Sequence, residues 1–248
     1  MLRAILLLAA GAAGGMIGSA GGTASMVTYP ALLAAGITPL AANVTNSVAF
    51  LAIWPGSALG GRPELDGQGP WLRRWAPLTA VAAAIGAGLL LLTPAAAFDR
   101  LVPFLLGIAA LTLLVQPKVS ARLARSGHAG GPKGVLPVGL ALTAMYDGYW
   151  GAGSGIMTVA VLMIASKLEF ARANALKNMV LGIADTACCV VLILFWPVDW
   201  TAAVPMGLGC LAGSMLGPAL TRRVPASAAR VGTALIGLAL AVSLWAKP

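Results

Sequence analysis

Eight long apolar segments follow one another along the chain, and they limit its possible folds more than any other feature. A helix that spans a bilayer needs about 20 predominantly apolar residues, and most of the segments have that length. Charged residues make up only 9% of the chain, against about 25% in soluble domains. The sequence therefore predicts an all-α polytopic membrane protein. The segments lie near residues 4–30, 38–59, 75–93, 101–116, 134–165, 173–196, 200–220 and 226–246.

Glycine-rich stretches break two of these segments, the first and the fifth. The first break covers residues 18–25 and the second covers residues 147–155. An interrupted helix in lipid leaves backbone groups unpaired, which is tolerated only inside protein or beside a watery cavity. A pair of broken segments in matching positions of two halves is the best sequence indicator of a transporter's binding site. We therefore predict that the two breaks meet at a shared site.

The two halves of the chain resemble each other in residue order. The longest polar, glycine-rich stretch separates them, so we predict a first transmembrane repeat over 1–117, a linker over 118–133 and a second repeat over 134–248. Each repeat contains about four helical segments, of which the first is broken. A shift of 132 residues places several residues of the first half on identical ones of the second: Ala20 on Ala152, Gly21 on Gly153, Ala41 on Ala173, Asn46 on Asn178 and Val48 on Val180.

The basic residues indicate how the two halves face the membrane. If every segment crossed once, the basic gaps of the two halves would lie on opposite sides. If each broken segment enters and leaves on the same face, thirteen Lys and Arg residues lie on one side and three on the other. Because Lys and Arg accumulate on the cytoplasmic side, we predict inverted repeats with re-entrant first segments, a cytoplasmic linker and both termini outside. Broken segments that each cross twice would give the same parity.

The predicted site is suited to an anion. Helix N-termini at the two breaks present N–H groups and the positive end of the helix dipole. Glycines allow close backbone approach, hydroxyls add donors and Lys177 adds a cation. Close glycine packing, helix capping and an ordinary cytoplasmic-face charge are the alternative roles for these residues. The candidate substrate-binding residues are Gly21, Gly22, Thr23, Asn43, Asn46, Trp150, Gly153, Ser154, Gly155, Lys177 and Asn178.

Two acids within or beside the apolar segments are candidates for proton coupling. Asp185 lies deep in the sixth segment and Asp147 lies at the second break. An ionisable residue inside a membrane segment is costly and therefore indicates function. The alternative is a salt bridge of either acid with Lys177 that holds helices together.

The sequence lacks the motifs that metal-binding and nucleotide-binding sites require. The only histidine, His128, lies in the linker, and Cys188, Cys189 and Cys210 have no metal-binding spacing. No glycine loop matches a nucleotide-binding motif. We attribute the net charge of +9 to membrane topology rather than to nucleic-acid binding. We therefore expect no metal, no cofactor and no nucleic-acid partner.

At these residues the chain resembles the sulfite exporter TauE/SafE family, also called the toluene sulfonate uptake permease family. The resemblance implies a secondary carrier of the cytoplasmic membrane for sulfur-containing anions: sulfite, thiosulfate or organosulfonates. Asp147, Tyr149 and Trp150 stand where that family is usually smaller and richer in glycine, which favours a substrate larger than sulfite. The resemblance rests on GGMIGSAGG at 14–22, Pro30, GITPLAA at 36–42, NVTNS at 43–47, residues 148–155 and ARAN at 171–174.

The resulting prediction is a proton-coupled anion transporter that works by alternating access, and not an enzyme. It places the chain in the bacterial inner membrane as a multi-pass protein, with a small anion and the lipid bilayer as partners; a homodimer is left open. A passive anion channel is the main alternative. An intramembrane enzyme is a weaker one, because the sequence offers no nucleophile and base pair.

Overall fold

The computed structural model describes residues 2–20, 24–125, 134–166 and 168–221, and throughout these ranges the regular structure is α-helical. The predicted all-α class is confirmed for this part of the chain. The candidates Gly21, Gly22 and Thr23, and the predicted segment 226–246, lie outside the described residues. The helices are α1 (Leu2–Ser19), α2 (Ser25–Ala34), α3 (Pro39–Phe50), α4 (Ile53–Gly60), α5 (Arg62–Leu65), α6 (Gly69–Leu92), α7 (Ala95–Arg125), α8 (Val135–Tyr149), α9 (Ser154–Ala165), α10 (Phe170–Phe195) and α11 (Trp200–Thr221).

Four of the described helices are long and apolar enough to cross a membrane. They are α1, α6, α10 and the Trp200–Gly217 part of α11. Large apolar side chains such as Leu6, Leu92 and Phe195 are exposed on them, which water would disfavour and lipid accepts. The chain is therefore a multi-pass membrane protein. Helices α2 and α9 are also apolar but have only 10 and 12 residues, too few to span a bilayer alone.

Both predicted breaks fall where one helix ends and another begins. Helix α1 ends at Ser19 before α2 begins at Ser25, and α8 ends at Tyr149 before α9 begins at Ser154. In the second break, Gly151 and Gly153 have φ values of +80° and +92°. Glycine adopts this left-handed region without the penalty that a Cβ would bring, so the second break depends on these two glycines.

The helices on the two sides of each break pack against each other. A Cβ on Gly14 would meet the Thr28 side chain at 2.5 Å, and one on Gly18 would meet Ala24 at 2.8 Å. Because earlier residues of α1 contact later residues of α2, the two helices run antiparallel. In the second half, a Cβ on Gly139 of α8 would likewise meet Val161 of α9. Each break is therefore the tip of a helical hairpin.

Glycines also let each hairpin pack closely on a helix of the other half. A Cβ on Gly11 or Gly213 would collide with the backbone carbonyl of Met206 or Ala12, so α1 lies directly on α11. In the same way, α8 lies on α6. Along the pair α1 and α11, residue numbers rise together, which makes these two helices parallel. The two halves are thus interlocked through small residues, as is common between membrane helices.

Several predicted segments differ from the observed helices in their bounds or their division. The predicted segment 38–59 is two helices, α3 and α4, separated at Leu51 and Ala52. The short helix α5 lies in the gap that follows it. Helix α7 continues to Arg125, so the predicted linker at 118–133 begins within a helix, and its residues 126–133 lie outside the described part.

Candidate functional site

A small polar cavity lies between the two breaks. The space open to the centre of a water-sized sphere is about 60 Å³. One water needs roughly 10–15 Å³ on this measure, so the cavity has room for a few waters or one compact ion. The lining comes from both halves: Gly18, Ala24 and Ser25 from the first break, Asp147, Gly151, Gly153, Ser154 and Gly155 from the second, Phe50, Ile53 and Trp54 near the junction of α3 and α4, and Lys177, Asn178, Leu181, Gly182 and Asp185 from α10.

The N-termini of α2 and α9 both line this cavity. The N-cap residues, Ala24 for α2 and Gly153 for α9, have no side chain that could cap the helix start with a hydrogen bond. The first-turn N–H groups of a helix have no partner within the helix, and they carry the positive end of its dipole. The two starts therefore bring partial positive charge to the cavity from two directions.

Lys177 of α10 is the cation on the cavity wall. Its side chain is buried, and its Nζ donates to the carbonyl oxygen of Gly18 at 2.8 Å. It makes no salt bridge with Asp147 or Asp185, although the structure describes all three residues. The predicted alternative, a helix-joining ion pair, is therefore not formed. The Lys177 Nζ is therefore held by the C-terminal end of α1, at the wall of the cavity.

Asparagines of each half cap the broken helix of the other half. Asn174 and Asn178 of α10 donate from Nδ2 to the carbonyl oxygen of Ser19, at 2.9 Å and 3.1 Å. In the opposite direction, Asn43 of α3 donates to the carbonyl oxygen of Tyr149 at 3.1 Å. The last carbonyls of a helix need such partners. The asparagines therefore cap helix C-termini across the two halves, and not the starts of their own helices.

The two acids predicted for proton coupling lie together on the cavity wall. Asp147 accepts a hydrogen bond from Ser154 Oγ, and Asp185 lines the same small cavity. Two carboxyl groups that share a site repel each other when both are ionised, which favours a proton on one of them. The geometry therefore suits a pair that takes up and releases protons.

Several buried polar atoms near the breaks have no hydrogen-bond partner among the described residues. Leaving such an atom unpaired costs about 1–3 kcal/mol, so each calls for water, an ion or a ligand. They are Thr45 Oγ1, Asn46 Oδ1, Asp147 Oδ2, Trp150 Nε1 and Asn174 Oδ1.

The structure places some predicted site residues in the cavity and others beside it. Asn43, Asn46 and Trp150 are buried outside the lining. The Trp150 ring packs against Tyr29, with ring centroids 5.1 Å apart, and against Phe98 at 5.7 Å, so it fills the core between the halves. The predicted candidates on the lining are Gly153, Ser154, Gly155, Lys177, Asn178, Asp147 and Asp185.

Sequence reasoning missed several members of the site, among them the acceptor for Lys177 and a tryptophan of the cavity wall. The carbonyl oxygen of Gly18 is the acceptor for Lys177, and the Trp54 side chain forms part of the wall. A backbone acceptor leaves no signal in residue type. Trp54 had one weak signal, because it lies away from the ends of its segment, where tryptophans of membrane proteins usually anchor.

Polar groups held at the ends of broken helices inside an apolar bundle are what a membrane transporter needs to bind its solute, and we assign the protein to that class. A family model described as "Sulfite exporter TauE/SafE" matches residues 6–244. The chain therefore belongs to the TauE/SafE family of membrane transporters, which confirms the resemblance seen in the sequence.

One curated relative is described as "Probable membrane transporter protein ORF9", from Sinorhizobium sp. It is 29% identical over 257 aligned residues, which cover 100% of this chain and 94% of the relative. No solved structure matches the chain significantly. The relative supports the class of protein, and its name specifies no substrate.

Proposed function

We propose that the protein is a secondary active transporter that moves a sulfur-containing anion across the bacterial cytoplasmic membrane. The substrate class is sulfite, thiosulfate or an organosulfonate. The observation that carries the proposal is the meeting of two uncapped helix starts and Lys177 at one cavity. The name of the family, a sulfite exporter family, supports the choice of anion.

The electrostatics of the cavity favour an anion. Each helix start contributes about 0.3–1 kcal/mol toward a negative group, and more when the group is buried. Among the described residues, the hydrogen-bond partner of Lys177 is the Gly18 carbonyl, a neutral acceptor. A hydrogen bond to a charged partner is about twice as strong as one to a neutral partner. An arriving oxyanion therefore competes well with Gly18 for the ammonium.

Asp147 and Asp185 would couple this binding to protons. If both were ionised, a bound anion would lie beside two negative charges. Each such repulsion costs about 4 kcal/mol at a separation of about 4 Å and an effective dielectric constant of about 20. Anion binding is therefore favoured when the pair holds protons. Release of the anion lets the protons leave, and the two move together.

Alternating access would arise from inverted halves that move against each other. The reciprocal packing of α1 on α11 and α8 on α6 supports this arrangement, as do the asparagine caps that cross between the halves. The hairpins at the two breaks support re-entrant first segments. In this proposal the linker lies in the cytoplasm and both termini lie outside.

Uptake into proteoliposomes tests the proposal. Labelled thiosulfate should accumulate when a pH gradient is imposed and should not accumulate when an ionophore collapses the gradient. Lys177→Met should reduce accumulation at least about tenfold, because a hydrogen bond to a charged group contributes about 1.5–3 kcal/mol. Arg172→Met on the same helix is the matched control, because Arg172 is exposed and bonds the Asp66 backbone. Flux that ignores every pH gradient would identify a channel instead.

A further inference from the structure

Trp54 separates the polar cavity from a larger apolar groove. Both spaces are bounded by the same two residues, Trp54 and Gly182. The groove offers about 410 Å³ to the centre of a water-sized sphere, against about 60 Å³ in the cavity. Its other walls are almost wholly apolar, with Leu72 from α6 and Met179 and Ile183 from α10. A single side chain therefore stands between a small charged space and a wide apolar one.

The packing of Trp54 holds it in that place. A Cβ on Gly182 would lie 2.3 Å from Trp54 Cβ and 2.5 Å from its Cγ, so the tryptophan rests directly on the backbone of α10. Only glycine at position 182 allows this approach. Trp54 itself is 40% exposed, so it does not fill the core. Its position closes the side of the cavity and contributes little to core packing.

We propose that Trp54 sets the size of the substrate. This inference rests on the proposed function of the cavity as an anion site. With the indole in place, the charged head of a substrate fits beside Lys177, and an apolar substituent has nowhere to extend. The substrate is therefore a compact sulfur oxyanion and not an arylsulfonate. This proposal replaces the expectation of a larger substrate, because the Trp150 ring packs against Tyr29 and Phe98 outside the cavity lining. When Trp54 is shortened, the substituent of an arylsulfonate can enter the apolar groove.

Binding of a graded sulfonate series to the purified full-length protein tests this proposal. Sulfite, methanesulfonate, ethanesulfonate and benzenesulfonate keep one charged head and add apolar bulk stepwise. The wild type should bind benzenesulfonate at least about tenfold more weakly than sulfite. Trp54→Ala should tighten benzenesulfonate binding about tenfold or more, the gain expected when a ring-sized apolar group leaves water. The readout is the ratio of the affinities for benzenesulfonate and sulfite, which should rise about tenfold or more in Trp54→Ala.

Two further variants keep the result interpretable. Trp54→Leu opens less space and should give a smaller gain; it also serves if Trp54→Ala does not fold. Trp200→Ala removes an exposed tryptophan that lies outside both spaces and should behave as the wild type.

The outcomes separate this inference from the proposed function. Benzenesulfonate that binds the wild type as tightly as sulfite would overturn the role of Trp54 and leave the anion site intact. A Trp54→Ala or Trp54→Leu variant that weakens all four anions equally would also overturn it, because the residue would then only support the structure. If none of the four binds the wild type and thiosulfate does not bind either, the proposed function itself fails, and the inference fails with it.

Discussion

Asp185 is the residue on which the proposed proton coupling depends most directly. It is half-buried on the cavity wall, beside Asp147. Asp147 is buried and accepts a hydrogen bond from Ser154. Asp185 is the more exposed of the two acids, so protons from the cavity reach it more directly. A neutral amide at that position keeps the size of the side chain, but it cannot release a proton.

We expect Asp185→Asn to separate binding from coupling. The variant should exchange labelled thiosulfate for unlabelled thiosulfate across proteoliposomes at a rate within about threefold of the wild type. It should fail to accumulate thiosulfate under a pH gradient, because it can no longer carry the proton. Thr186→Ala, on the neighbouring exposed position, is the control. Normal accumulation by Asp185→Asn would remove this residue from the coupling path.

Asp199 is an acid outside the membrane-spanning helices, at the start of α11. Its Oδ1 accepts hydrogen bonds from Thr201 Oγ1 at 2.6 Å and from the Ala202 amide at 3.2 Å, and its Oδ2 accepts one from Arg3 at 2.8 Å. The hydrogen bond from Thr201, followed by those from Arg3, holds the pKa of Asp199 below its usual value of 3.8. Asp199 is therefore the N-cap of α11.

The lowered pKa of Asp199 determines the direction in which the stability of the protein changes with pH. Stability from the Asp199 charge is present above the unfolded-state pKa of about 3.9 and is lost as the pH falls through the lower folded-state value. Asp199→Ala should lower the free energy of unfolding by about 1 kcal/mol at pH 7, the usual cost of losing an N-cap. Asp199→Asn, which keeps the cap, should cost less. Melting curves at pH 7 and pH 3 check this. The difference in melting temperature between the wild type and Asp199→Asn should be smaller at pH 3 than at pH 7.

At the scale of helices, the close pairing of α1 with α11 depends on residues without side chains. A Cβ on Gly213 would collide with the Ala12 backbone, and backbone cannot move aside as a flexible side chain can. Gly88 also lies in a long apolar helix, α6, yet a Cβ there would meet no atom within 4 Å. Close helix packing therefore depends on Gly213 and not on Gly88.

Alanine at these two positions should have opposite effects. Gly213→Ala should destabilise the protein, because over-packing typically costs about 1–3 kcal/mol. Gly88→Ala should leave stability unchanged or raise it by up to about 1 kcal/mol, since alanine favours a helix over glycine. Thermal unfolding of the two purified variants measures both effects. Equal melting temperatures would mean that α1 and α11 are not packed as closely as described.

The sequence predicted the helix breaks at 18–25 and 147–155 because each glycine of a cluster disfavours a helix interior by about 0.5–1 kcal/mol relative to alanine. The division between α3 and α4 also had a local cause: Pro55 lacks an N–H and clashes with the carbonyl four residues earlier, that of Leu51. Pro77 lies within the continuous helix α6, so a proline alone does not predict where a helix ends. The partner of Lys177 could not be predicted, because the Gly18 carbonyl reaches it only through the packing of the two halves.

At the scale of the whole molecule, each half supplies an asparagine that caps the C-terminus of a helix in the other half. Asn174 caps the helix that ends at Ser19, and Asn43 caps the helix that ends at Tyr149. A change that separates the halves must break both sets of caps. The proposed alternating access would therefore have to break these few hydrogen bonds.

The proposed inverted repeats predict on which side of the membrane two equivalent loops lie, the one before α6 and the one before α11. Asp66 precedes α6, and Pro197 precedes its counterpart α11; both residues are exposed. Inverted repeats place the two on opposite sides of the membrane, and repeats of the same orientation place them together. In intact cells, a membrane-impermeant maleimide should label Pro197→Cys directly and Asp66→Cys only after permeabilisation. The three native cysteines give little background, since all are buried. Labelling of both positions from the same side would reject the inverted arrangement.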